Sequence, residues 1–325
     1  MIHRFAVAIG AGCAAAFLFA VSAQTSPLAM TLAYLAPLPI MIATMGWGVG
    51  AGATAAATSV AGLTLLAEPL TGLLYAASVA APAWILAACA VAPVARYLPA
   101  RSPPAQTYAS VGSIVTLASA IGMLGASAVL TAVIVLYGGY AEGVKQVTSA
   151  LAALANDAFD AKDGDQARAF AEALVHWGPA AIAASTLLML SVNLYAAARS
   201  TQLSHRLPRP WPDLPTSLRL PWPLGVLVVG CAACAYALPA PASQYFSIGA
   251  GGLGAAFVQQ GLAVAHALSR GLKLRVVMLV ALYACCVLRA QYTLPVLAAL
   301  GFVDAFARLR TRAAFLPAPK PTTHK

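Results

Sequence analysis

Charge is what this sequence lacks. Only 9% of its 325 residues are charged, and only nine are acidic, where a soluble domain carries about a quarter. So few charges cannot cover a water-facing surface. The stretch from Phe5 to Ala67 holds no Lys, Arg, Asp or Glu at all, and it far exceeds the ~20 apolar residues that cross a bilayer core. The bilayer is therefore the expected solvent, and because lipid offers no hydrogen bonds, the spans should be helices. Cysteine is scarce as well. All six (Cys13, Cys89, Cys231, Cys234, Cys285 and Cys286) lie in apolar runs and read as small packing residues, so no disulfide framework is expected. Cys231-Ala-Ala-Cys234 has metal-site spacing but no second pair and no nearby histidine, so neither a metal nor any other cofactor is expected.

Motifs for catalysis are missing too. There is no H-E-x-x-H, no G-x-S-x-G with partners and no phosphate-binding Walker loop, so an enzyme is not expected. The formal charge of +10 would point a soluble chain toward nucleic acid. Here it reports topology instead, because it gathers at the ends of apolar runs, and no nucleic-acid partner is expected.

What is present divides as follows. Residues 1–138 should hold five transmembrane helices. His3 and Arg4 precede the first, and Val21-Ser22-Ala23 resembles a signal-peptidase site. An uncleaved anchor is the expected form, since more spans follow directly. Spans two to five are expected at about 28–45, 48–66, 70–94 and 108–137, with a turn at Ser102-Pro103-Pro104 after Arg96 and Arg101. Gly48 and Gly52 have the G-x-x-x-G spacing that permits close helix approach. Residues 139–172 carry six acidic side chains. They should form an extracytoplasmic loop of an amphipathic helix, a break near Asp163-Gly164-Asp165 and a second helix. The oxygen pattern of an EF-hand is absent there. Span six follows at 173–198, then a basic cytoplasmic loop at 199–222. Helices seven to ten are expected in 223–308, and 309–325 should be a basic cytoplasmic tail without fixed structure.

Residues 274–307 read either as one very long helix or as two short helices turning near Arg289. Topology favours the pair. With the N-terminus inside, spans two, four, six and eight return to the cytoplasm, and the last three end at the basic clusters Arg96/Arg101, Arg199 to Arg219 and Arg270 to Arg275, which is the positive-inside asymmetry. The tail carries Arg308, Arg310, Arg312, Lys320 and Lys325, so it too belongs inside, and that requires an even number of crossings. The expectation is an all-α, polytopic transmembrane bundle of eight to ten spans, both termini cytoplasmic, in a bacterial inner membrane.

Polar side chains within a bilayer are costly and mark candidate sites. Asn193 lies in span six, and Gln259, Gln260 and His266 lie in span eight. Gln259, His266 and Arg270 are spaced to share one helix face. That stripe reads either as a ligand- or proton-handling face or as a helix end bonding its own last carbonyls and lipid headgroups. Asp304 and Arg308 have the i, i+4 spacing of a structural ion pair, worth roughly 0.3–0.5 kcal/mol if exposed.

The run Leu35-Ala-Pro-Leu-Pro39, Gly46-Trp47-Gly48, Gly261-Leu-Ala-Val-Ala-His266, and Gly301-Phe-Val-Asp304 before Arg308 and Arg310 resemble the YybS-like predicted membrane proteins, a family of unknown function (DUF2232). The resemblance covers roughly spans two to ten. Such proteins are similar to the substrate-binding S-components of energy-coupling-factor vitamin transporters, which implies an intramembrane pocket open to the outside and coupling surfaces at the cytoplasmic side. The chain departs from S-components in its length and its acidic loop, and it carries no vitamin-binding signature. Two functions follow as expectations. One is a small-molecule transport or substrate-binding component. The other is a non-transporting scaffold or assembly factor held by other membrane proteins.

Overall fold

The computed structural model describes residues 2–23, 26–93, 108–159 and 164–314. Arg96, Arg101, the Ser102-Pro103-Pro104 turn, the Asp163 end of the expected break and residues 315–325 of the tail lie outside the described residues. The described chain is helical, with a single isolated bridge, Pro93 to Tyr108, in place of any strand. Among the described residues, seven helices are long and apolar enough to cross a membrane, and three shorter apolar helices accompany them.

The first half is a set of hairpins with proline-set joints. Helix α1 (Ile2–Ala20) packs along α4 (Val49–Leu66). Between them the second span is broken into α2 (Pro27–Tyr34) and α3 (Pro37–Trp47). Proline has no N–H to continue the ladder, so Leu38 bonds back to the Leu35 carbonyl and the Tyr34 carbonyl is left without its helical donor. The next span runs as α5 (Pro69–Tyr75), a π-helical turn at Ala76–Ala80 and α6 (Ala81–Val91). The wider turn sits just before Pro82 and absorbs the proline that a regular helix would not.

The second half is built on α7 (Val111–Leu136), α9 (Gly164–Leu203) and α12 (Ala242–Leu268), which pack on one another. The amphipathic helix α8 (Tyr140–Phe159) lies against α7 and α9. Two expectations need correction here. The acidic segment was expected to end before span six, but its second helix and that span form one continuous 40-residue helix, α9, with Pro179 inside it. The fused helix is about 60 Å long at 1.5 Å per residue, twice a bilayer core, so it projects well beyond the apolar region. The tail was expected to lack structure, yet Leu309–Ala314 forms helix α15.

After the loop that contains α10 (Leu214–Ser217), α11 (Trp222–Ala237) leads into α12. The 274–307 segment is two helices, α13 (Arg275–Leu288) and α14 (Ala290–Ala307), broken at Arg289. Helix α14 packs tightly on α12, whereas α13 buries no residue. The outward faces carry large apolar side chains such as Leu66, Val229, Tyr236 and Val287, which is what a lipid solvent permits and water does not.

Close contact between α12 and α14 depends on two glycines. A side chain at Gly261 would meet the Leu297 carbonyl, and one at Gly301 would meet the Phe257 carbonyl. In each case the obstacle is backbone, which cannot rotate away. Replacing Gly261 or Gly301 with leucine is expected to cost about 1–3 kcal/mol through forced separation, read as a lower unfolding midpoint in detergent. The same change at Gly254, which faces open space, should be nearly silent.

Candidate functional site

Gln259 and Gln260 are adjacent, so on a helix they point about 100° apart, and they enter two different environments. Gln259 Nε2 donates to Ser191 Oγ of α9 at 3.1 Å. His266, two turns on, is 2.9 Å from the Tyr283 hydroxyl of α13 through its Nε2. Both pairs line a cavity of about 750 Å³ between α9, α12 and the loop that joins α9 to α11. Its walls are Leu188, Val192, Tyr195, Leu214, Leu218 and Leu262, with Arg199, Trp211 and Asp213 contributing polar groups. Polar groups converging among apolar walls are what a small-molecule site uses to orient its ligand. A second, smaller cavity of about 80 Å³ shares Ser191, Gln259 and Trp211 with it.

The loop that walls the cavity is held from several directions. Arg209 donates to the Ala90 carbonyl at 2.9 Å, and its guanidinium lies 4.9 Å from the Tyr108 ring and 5.6 Å from that of Trp211. Arg270 donates to Asp213 at 2.7 Å. That bond, with a second from Thr216, holds the Asp213 carboxyl below its ordinary value. The Trp211 N–H has no partner among the described residues.

Gln260 faces the other way, into a buried polar cluster. Its Oε1 accepts from the Leu220 backbone N–H at 2.8 Å, and its Nε2 donates to Asp304 at 2.9 Å. Asp304 is paired with Arg310, Nη2 to Oδ2 at 2.6 Å, and both side chains are only 3% exposed. Arg310 also donates to the Pro215 and Leu218 carbonyls, at 2.7 and 2.6 Å. This corrects the expected Asp304–Arg308 pair. Arg308 ends α14 in the left-handed region, at φ 51° and ψ 48°, so the chain reverses and returns Arg310 to the carboxylate. The i, i+4 rule holds only while the helix continues.

Asn193 joins neither environment. It is buried, and its Nδ2 donates to the carbonyls of Tyr34 and Met189, each at 2.7 Å. Tyr34 is where the prolines leave a carbonyl unserved, so Asn193 completes the broken span. The structure thus brings Gln259 and His266 together and separates Gln260 and Asn193 from them. Sequence reasoning passed over Ser191, Tyr283, Trp211 and Asp213. Of these, only Asp213 had a signal, as the one acid in a basic loop.

With this geometry in place, comparison with known proteins gives one family, described as "Predicted membrane protein (DUF2232)", matching residues 13–305. The chain belongs to it. No curated protein and no solved structure matches.

Removing one partner of a buried ion pair strands the other charge, at about 3–5 kcal/mol. Arg310→Met or Asp304→Leu in this DUF2232 protein is therefore expected to lower unfolding stability by that amount, and the double variant to recover much of it. Arg308→Gly should stay within about 1 kcal/mol of the parent, since glycine accepts the left-handed turn. Unfolding in detergent distinguishes the two, and a large loss at Arg308 with none at Arg310 would reinstate the i, i+4 pair.

Proposed function

We propose that this integral membrane protein is a small-molecule transport or substrate-binding component of the bacterial plasma membrane, holding its solute rather than converting it. The observation that carries this reading is the cavity of about 750 Å³ with Gln259–Ser191 and His266–Tyr283 as its polar pairs. Its walls suit a solute with an apolar body, and Arg199 with His266 at its polar edge suits an oxygen-rich or anionic end.

Orientation belongs to the same proposal. Arg310 is bonded to the 215–218 stretch, so the start of the tail and the basic loop share one end of the bundle. By the positive-inside tendency that end is cytoplasmic. The cavity is then walled by cytoplasmic loop residues, not open to the outside as the likeness to S-components implies. Reporter tags in the 199–222 loop and after Lys325 should both be shielded in intact spheroplasts. A tail tag reached from outside while the loop tag stays shielded would refute this arrangement.

The solute is found by thermal unfolding of the purified full-length protein against a panel of amphipathic metabolites. A ligand at a hundred times its Kd adds about 2.7 kcal/mol of stability. Stabilisation by one chemical class is expected, weakened about tenfold or more in affinity by Gln259→Leu or His266→Leu. A panel without any stabilising member, or full stabilisation in both variants, argues against the reading.

A further inference from the structure

A third cavity, of about 450 Å³, lies on the far side of Gln260 and has Arg219, Trp222, Gln260, Asp304 and Arg308 in its lining. It shares no residue with the large cavity and stands independently of the solute proposed for that one. Only two acidic residues follow Glu172 in the sequence, Asp213 and Asp304. Each already has an arginine, Arg270 and Arg310 respectively. Arg219 and Arg308 therefore have no carboxylate in salt-bridge reach among the described residues, and they flank the same cavity. The Asp304 carboxylate does not offset them, because Arg310 neutralises it and Gln260 takes a further bond to it. The cavity edge carries two uncompensated guanidiniums.

The backbone at both arginines is fixed, and both side chains are exposed. The Arg219 carbonyl is packed on Gly112 of α7, where a side chain could not fit, and the next N–H is fixed by Gln260. Arg308 occupies a left-handed position that glycine usually fills where a helix ends in that conformation. An arginine there carries a backbone penalty that glycine would not, which fits a side chain kept for what it does. Trp222 is 59% exposed beside them, at the start of an apolar helix, where an indole suits the headgroup level.

We propose that Arg219 and Arg308, with Trp222, form a binding site for a phosphate-bearing anion. Guanidinium forks match phosphate oxygens in geometry and charge. The same chemistry is offered by the headgroup of an anionic phospholipid at the basic face of a membrane protein and by free phosphate.

The test uses the purified full-length protein in micelles doped with phosphatidylglycerol or phosphatidylcholine, or supplied with inorganic phosphate, and reads the unfolding midpoint and its dose dependence. Phosphatidylglycerol is expected to stabilise the parent where phosphatidylcholine does not. Arg219→Gln and Arg308→Gly should each weaken the apparent affinity by about tenfold. Arg308→Gly is the variant safe for folding, since its unliganded midpoint should equal or exceed the parent's. Stabilisation by inorganic phosphate but not by the lipid, lost in both variants, supports the site and names free phosphate as its source. The proposal falls if neither anion differs from phosphatidylcholine, or if both variants respond as the parent does.

Discussion

A carboxylate and a guanidinium taken out of water must satisfy each other and their remaining hydrogen-bonding capacity, because the cost of leaving either alone exceeds most packing gains. Asp304 and Arg310 meet that constraint together with Gln260 and the carbonyls of Pro215 and Leu218. One cluster thereby joins α12, α14, the start of the tail and the loop after α9. The register of α14 on α12, fixed sterically by Gly261 and Gly301, is what brings Asp304 level with Gln260.

The same demand explains smaller features. A proline-broken span leaves a carbonyl that lipid cannot serve, and Asn193 serves it at Tyr34 from another helix. Trp84 Nε1 bonds the Val49 carbonyl at 3.0 Å, and Arg209 bonds that of Ala90. Most Ser and Thr hydroxyls among the described residues bond back to the carbonyl three or four residues earlier in their own helix, whereas Asn193 and Arg209 reach across to carbonyls at a proline break and a helix end. The groups that line the large cavity, Gln259 with Ser191 and His266 with Tyr283, bond other side chains instead. Side chains paired with each other can exchange that partner for a ligand more readily than those that hold a broken helix together.

The helical, membrane-embedded class was legible because it rests on composition and long apolar runs, which tertiary contacts do not alter. The break at Arg289 was legible through charge distribution. The fusion of the acidic segment with span six was not, since the boundary after Glu172 rests on where the charges stop, and a change from polar to apolar side chains does not end a helix, which here runs on through Pro179. Spacing rules also misassigned the Asp304 partner. They presume that a helix continues, and the left-handed turn at Arg308 ends it. The stripe from Gln259 to His266 was readable from periodicity, whereas Ser191 and Tyr283, 68 and 17 residues away from their partners, leave no local trace.

Gln259 lines the 750 Å³ cavity and Gln260 the 450 Å³ one, and one loop borders both. Residues 211–215 and Leu218 wall the first, while Arg219 to Trp222 line the second, and Leu220 and Leu218 are bonded to Gln260 and Arg310. A solute that spread the loop from α12 on one side would load the hydrogen bonds that fix Arg219 on the other. An anion bridging Arg219 and Arg308 would in turn brace the same loop against opening. Any such coupling must be reciprocal in binding free energy. The path it would take is short, because adjacent residues of a single helix face both sites.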